Sequence, residues 1–121
     1  MADSREVARV ALAGIRLFNG LAALVAPAQV AARLGVDTNA NPAMLYVLRM
    51  FGIRTVLIGL DLLGKKGKQR AEAARQGVLI HASDTVAAFV ASRRAGFPTP
   101  IGNVVVVISL VNTLLAALAA R

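Results

Sequence analysis

The sequence of 121 residues predicts an all-α fold: a four-helix transmembrane bundle with a short interfacial helix after the first span, residues 1–121 forming one membrane domain. Three observations predict it. Apolar residues make up 57% of the chain and charged residues only 17%, too few for each helix to keep a solvated face. The apolar residues gather in four blocks of roughly twenty, enough to cross a bilayer core of about 30 Å at about 1.5 Å per residue. Between the blocks lie helix punctuation and clusters of Lys and Arg, as expected at membrane boundaries.

Asp3 and Glu6 fit a capping box, and a helix is expected from there to about Ala26. Ala26-Pro27-Ala28 imitates a signal-peptide cleavage site, but Arg16 and Asn19 interrupt the apolar run before it, so the segment is read as a span. Pro27 suits the first position of a short second helix, with Val30 and Leu34 at helical spacing and Gly35 to close it. That helix is too short to span and is assigned to the membrane surface. Asn41-Pro42 reads as an N-cap with Pro at N1, opening a second span that runs to about Leu63. Gly64 to Lys68 form a basic connection. The third span starts near Ala71 and leaves the apolar region near Ser92, where Arg93, Arg94, Gly96 and Pro98 end it. Thr99-Pro100 repeat the start signal for a last helix, Ile101 to Ala120. Val104 through Ile108 put branched apolar residues on every face of that helix, the clearest mark of lipid solvation.

Lys and Arg near the span ends set the orientation. With the N-terminus inside, Arg5, Arg9, Lys65, Lys66, Lys68, Arg70, Arg75 and Arg121 are cytoplasmic, against Arg33, Arg93 and Arg94 outside. Both termini are therefore expected in the cytoplasm. The net charge of +8 sits at helix ends or within apolar blocks rather than on an aromatic-studded basic patch, so no nucleic-acid partner is expected. The lack of Cys excludes disulfides, thiolate metal sites, iron-sulfur clusters and a Cys nucleophile. No Gly-rich phosphate loop, nucleophile elbow or paired acid and base carboxylates appear. Only His81, Asp84 and Asp61 could supply zinc ligands, so neither metal nor cofactor is expected.

The informative residues are polar ones inside the spans. An ionisable group at the centre of a spanning helix costs about 2.5 to 3.5 kcal/mol and so requires a partner or a role. Arg16, Arg54, Asp84 and Asn112, one on each span, all fall roughly 12 to 14 Å from the cytoplasmic boundary at the helical rise. At about 100° per residue Arg16 shares a face with Asn19 and Gly20, and Arg54 shares one with Asp61. Gly77, His81, Asp84, Thr85, Ala88 and Ser92 form a stripe on the third span; Gly102, Ser109, Asn112, Thr113 and Ala116 form another on the fourth. These stripes are expected to face inward, with Arg49, Asp61 and His81 nearer the ends. In one reading Arg16 or Arg54 pairs with Asp84 as a buried salt bridge, Asn19 and Asn112 completing the hydrogen bonds. In the other, two guanidiniums facing one carboxylate leave a local positive charge for a bound anion, unless Asp61 serves Arg54 or Arg9. His81 and Asp84, at i and i+3, form either a proton-relay pair or a neutral, hydrogen-bonded His beside a carboxylate.

The string Leu48-Arg49-Met50-Phe51-Gly52-Ile53-Arg54, followed by Gly59, resembles the Arg-x-x-Gly-x-Arg-x-x-x-x-Gly signature of a family of small, uncharacterised bacterial four-span membrane proteins, distantly DoxX-like. Arg16 with Gly20, Pro27, Gly35 and Asp84 look like that family's other recurrent positions. The resemblance covers most of the chain; it implies a four-helix bundle in the bacterial inner membrane and carries no activity. DoxX-like relatives are linked to quinone-coupled redox complexes, and no motif here justifies transferring that role.

Three functions compete. The leading expectation is a non-enzymatic integral membrane protein, an accessory bundle that binds a partner protein or lipid in the bilayer. The second is a transporter or binding protein for a small anionic or amphiphilic ligand at the Arg16, Arg54 and Asp84 cluster, a transport path then requiring a homodimer or larger complex. The third is a quinone- or lipid-linked membrane redox subunit.

Overall fold

The computed structural model describes residues 3–94 and 99–120. Among them the chain is all-α: α1 Ser4–Val25, α2 Pro27–Arg33, α3 Ala43–Gly64, α4 Gly67–Arg94 and α5 Thr99–Ala119. The expected turn at Gly96, Phe97 and Pro98, and Arg121, lie outside the described residues, as do the side chains of Ser92, Arg94, Thr99 and Gly102.

Local chemistry explains most of the boundaries. Asp3 caps α1 but accepts from Arg5 N at 3.2 Å, while Glu6 turns to pair with Arg9, so the reciprocal capping box does not form. Pro27 occupies the first turn of α2. Gly35, with φ of 77°, ends it as expected: Val36 N donates to Ala31 O at 2.9 Å and Gly35 N to Ala32 O at 3.1 Å, a Schellman closure. The start of α3 differs from expectation. Asn41 donates its side-chain amide back to Asp37 O at 3.3 Å instead of capping, and the helix begins after Pro42. α4 begins at Gly67, earlier than expected, because the positive φ of 60° open to glycine lets the chain reverse at once. Lys65 and Lys66 alone connect α3 to α4, and Arg70 Nε ties the turn by donating to Lys65 O at 2.6 Å.

α1 and α3 pack antiparallel along their length, as do α4 and α5, and the two pairs meet chiefly through α1 and α5. The α1–α3 contact is backbone on backbone. A Cβ on Gly20 would lie 2.8 Å from Val56 N, and one on Gly52 would lie 2.7 Å from both Gly20 O and Leu24 N. Gly59 receives the Leu17 side chain, 2.9 Å from where its Cβ would be. The buried residues of α3, namely Leu48, Gly52, Thr55, Gly59 and Leu62, alternate at spacings of three and four. The buried positions of α1 follow the same rhythm through Arg16, Gly20 and Ala23. One core cluster joins Leu12, Ala13, Leu62 and Ala116; another joins Ala8, Ala74 and Ala119.

The interior is thus mostly small, and large side chains lie outside. Phe18, Val25, Tyr46, Leu79, Val86 and Val107 are all more than half exposed. α1 and α3, each 22 residues, are long and apolar enough to cross a membrane. Two of the four expected spans are met in this way. The apolar stretch described in α5 is shorter, Asn103–Ala119, and α4 carries Lys68, Arg70, Glu72 and Arg75 in its first turns.

Gly52 and Gly14 provide a matched test of the helix contact. Gly52→Ala forces backbone apart and is expected to destabilise by about 1 to 3 kcal/mol. Gly14→Ala meets nothing within 4 Å and should be neutral, or stabilising by up to about 1 kcal/mol through helix propensity. Thermal melts of both variants in detergent check this; equal midpoints would refute the close approach.

Candidate functional site

Arg16 lies on the buried stripe of α1, one turn before Gly20, with only 3% of its surface exposed. The tight α1–α3 contact sets what it meets. Its Nη2 donates to Thr55 Oγ1 at 3.3 Å, and its guanidinium carbon lies 5.8 Å from the centre of the Phe51 ring. Nε has no partner. Among the described residues no carboxylate oxygen lies within 4.0 Å of Arg16. Asp84 and Arg54 both act on it electrostatically without touching it.

His81 of α4 is wholly buried, and neither ring nitrogen has a hydrogen-bond partner. Its Nδ1 is 3.9 Å from Asp84 Oδ2, too long for a hydrogen bond. The ring is bordered by Gly77, whose missing Cβ would sit 3.7 Å from His81 Cδ2 and 3.5 Å from the Ala116 Cβ. Asn112, 3% exposed on α5, buries an Oδ1 without a partner. Beside these groups Thr85 and Thr113 approach to 3.2 Å across the α4–α5 contact. Thr85 Oγ1 also reaches His81 O at 2.8 Å, and Thr113 Oγ1 reaches Ser109 O at 2.9 Å. Two hydroxyl protons serve these three contacts, so two are hydrogen bonds at any moment. The polar centre is consequently well supported on the threonine side and unsatisfied at Arg16, His81 and Asn112.

A groove of about 440 Å³ runs along the outside of this centre between α1 and α5. Gly14 and Phe18 form one wall and Val107 and Val111 the other, with Asn19 and Asn112 also on the lining. Asn112 therefore belongs both to the groove and to the buried centre.

Of the expected site residues, Arg16, Asn19, His81, Asp84 and Asn112 lie on inward or half-buried positions. Arg54 and Arg49 do not. Both are exposed, because the α3 stripe is set by Gly52, Thr55 and Gly59, and Arg54, next to Thr55, is rotated about 100° out of it. Asp61 is half-buried at the end of α3 and pairs with Lys65 at 3.3 Å, serving neither Arg54 nor Arg9. Arg9 donates Nη1 to Leu62 O at 2.7 Å, occupying one of the terminal carbonyls of α3. The salt bridge expected between Asp84 and Arg16 or Arg54 is replaced by the His81 proximity. Sequence reasoning missed Thr55 and Phe51; the signal for Thr55 was its place three residues after Gly52 and four before Gly59. Among the described residues no group of three His, Cys, Asp or Glu could hold a metal.

Compared with known protein families, characterised proteins and solved structures, the chain matches none.

A buried guanidinium with one weak hydrogen bond and, among the described residues, no carboxylate in contact with it opposes folding, so its removal should help the protein. Arg16→Met, of similar length, is expected to raise the melting midpoint of delipidated protein by several degrees, equivalent to about 1 kcal/mol or more. Asp84→Asn should couple to it far more weakly than the about 3 to 5 kcal/mol typical of losing one partner of a buried pair. A double-mutant cycle in detergent measures both. A fall in midpoint with strong coupling to Asp84 would mean that Arg16 already has its counter-ion.

Proposed function

We propose that the chain is a small, non-enzymatic integral membrane protein: α1, α3, α4 and α5 span the bilayer, α2 lies at the surface, and the bundle binds a lipid or other amphiphile between its helices. The observation that carries this reading is the inverted distribution of side chains. Small and polar residues fill the interior, whereas Phe18, Leu57, Leu79, Val86, Val107 and Leu114 face outward. In water such a surface would drive aggregation; against acyl chains it is at rest. The length and composition of α1 and α3 agree with it. In α4 the polar His81 and Asp84 turn to buried or half-buried positions while Leu79, Val86 and Phe89 stay outside, the arrangement a lipid-facing helix needs. The termini are assigned to the cytoplasm because the short turn at Lys65 and Lys66 is basic.

A specific observation favours a second reading, assembly with a partner chain. Arg54 is exposed beside Met50, Ile53 and Leu57, an apolar face on which an isolated charge in lipid is costly. A partner helix carrying a carboxylate or free carbonyl there would compensate it, consistent with an accessory subunit.

The chain has no Cys, so single cysteines can be introduced without background. In whole cells a membrane-impermeant thiol reagent should label Cys at Asn39 and leave Cys at Gly67 unlabelled until the membrane is opened. Labelling of both from outside, or of neither position under any condition, would overturn the four-span arrangement. Native mass spectrometry of the protein released from mild detergent should show a retained lipid or amphiphile; protein that is always bare would remove the binding function.

A further inference from the structure

We infer that the groove between α1 and α5 is a lateral binding site for an anionic amphiphile, a carboxylate or phosphate monoester head on a hydrocarbon tail, whose head group supplies Arg16 with a counter-ion in direct contact. The inference rests on the lipid-binding reading and names the ligand class and its entrance.

The groove has the volume of a small-molecule site, about 440 Å³, and opens to the outside of the bundle, where Phe18 is 75% exposed. Its walls are mostly hydrocarbon, which suits an acyl chain. The wall is open at Gly14, where a Cβ would meet no atom within 4 Å, so a larger side chain placed there would enter the groove. Asn19 and Asn112 are the polar members of the lining and lie toward the bundle interior. A tail seated between Phe18 and Val107 therefore brings its head to Asn112.

The centre behind Asn112 selects the head. Arg16 is a buried cation with an unpartnered Nε, and among the described residues no carboxylate lies within 4.0 Å of it. A neutral alcohol or ester would leave its charge uncompensated, whereas an anion neutralises it and accepts charge-assisted hydrogen bonds. The one N–H of a neutral His81, whose ring nitrogens are both without a partner, adds a second donor. Arg16 and His81, buried on two helices, thus hold unpartnered nitrogens for which one oxyanion offers an acceptor. The tight α1–α3 contact excludes access from that side, since Gly20 and Gly52 already touch backbone to backbone.

The test uses full-length protein in nanodiscs of a zwitterionic lipid with radiolabelled oleate. Saturable oleate binding is expected, with oleyl alcohol competing at least tenfold more weakly than unlabelled oleate. Dodecyl phosphate serves as the second anionic arm: whichever of oleate and dodecyl phosphate displaces the label better identifies a carboxylate or a phosphate head. Gly14→Phe, which fills the groove without touching the core, should lower oleate affinity at least tenfold at an unchanged melting midpoint. Val111→Trp closes the opposite wall and should do the same if Gly14→Phe fails to fold. Arg16→Met should abolish the preference for oleate over oleyl alcohol. Oleate binding that is unsaturable, or equal in parent, Gly14→Phe and Val111→Trp, would overturn the inference. If native mass spectrometry still found a retained lipid on all three proteins, the lipid-binding reading would stand while this groove lost its role.

Discussion

The rest of the architecture depends on the point where α1 and α3 touch at Gly20 and Gly52. With no Cβ on either residue, the two backbones approach so closely that a Cβ on either would lie under 3.0 Å from backbone atoms of the other helix. That distance sets the rotation of both helices. One turn before Gly20 comes Arg16, and one turn after Gly52 comes Thr55; in an antiparallel pair these two are brought level, and the guanidinium meets the hydroxyl at 3.3 Å. One turn further Gly59 takes the Leu17 side chain. A helix pair held by glycines cannot rotate to bury a different face without driving Cβ atoms into backbone. The inward position of Arg16 follows from the glycines and does not require an acidic partner.

This constraint also accounts for the small interior. At the closest approach of the helices there is room for Gly and Thr, and larger residues such as Leu12 and Leu62 are buried towards one end, so most large aliphatic and aromatic side chains lie outside. In lipid such packing is stabilised by van der Waals contact and interhelical hydrogen bonds rather than by removal of apolar surface from water. The Thr85 and Thr113 contact between α4 and α5 is of that kind.

Much of this was legible in the sequence, and what was not has a physical cause. Pro27, Gly35 and the basic turn carry their meaning locally, since each acts through a fixed φ, a positive φ or a solvated charge, and α2 with its closure appears where they predict it. Asp3 was legible as a cap although its acceptor geometry was not. Arg54 shows the limit. Reading its charge as a demand for burial placed it inward with Asp61; the glycines and Thr55 of the same helix claimed the inner face instead. Charge tells that a residue needs a partner, whereas glycine spacing tells which face a neighbouring backbone occupies, and the second decides rotation. Arg16 satisfied both signals, because its i+4 residue is Gly20. The unsatisfied nitrogens of His81 were beyond the sequence, since a stripe position says that a side chain points inward and nothing about what waits there.

The same difference in closeness governs where the bundle can open. α1 holds α3, and α4 holds α5, along nearly their whole lengths, while contact between the two pairs is sparser, most of it through α1 and α5. Separating α1 from α3 would break the close approach at Gly20 and Gly52; between α1 and α5 the seam is already grooved along Gly14 and Val107 and is held closed nearer the chain ends, where Ala13 and Ala8 pack with Ala116 and Ala119. The residues left unsatisfied, Arg16, Asn112 and His81, lie on α1, α5 and α4, so they straddle the weaker seam instead of residing within one tight pair. On the binding proposed above, a group entering there would reach polar atoms from both halves at once and join them. Occupancy would then act on the molecule as a third contact between hairpins, replacing the electrostatic cost of an uncompensated cation with hydrogen bonds that cross the seam.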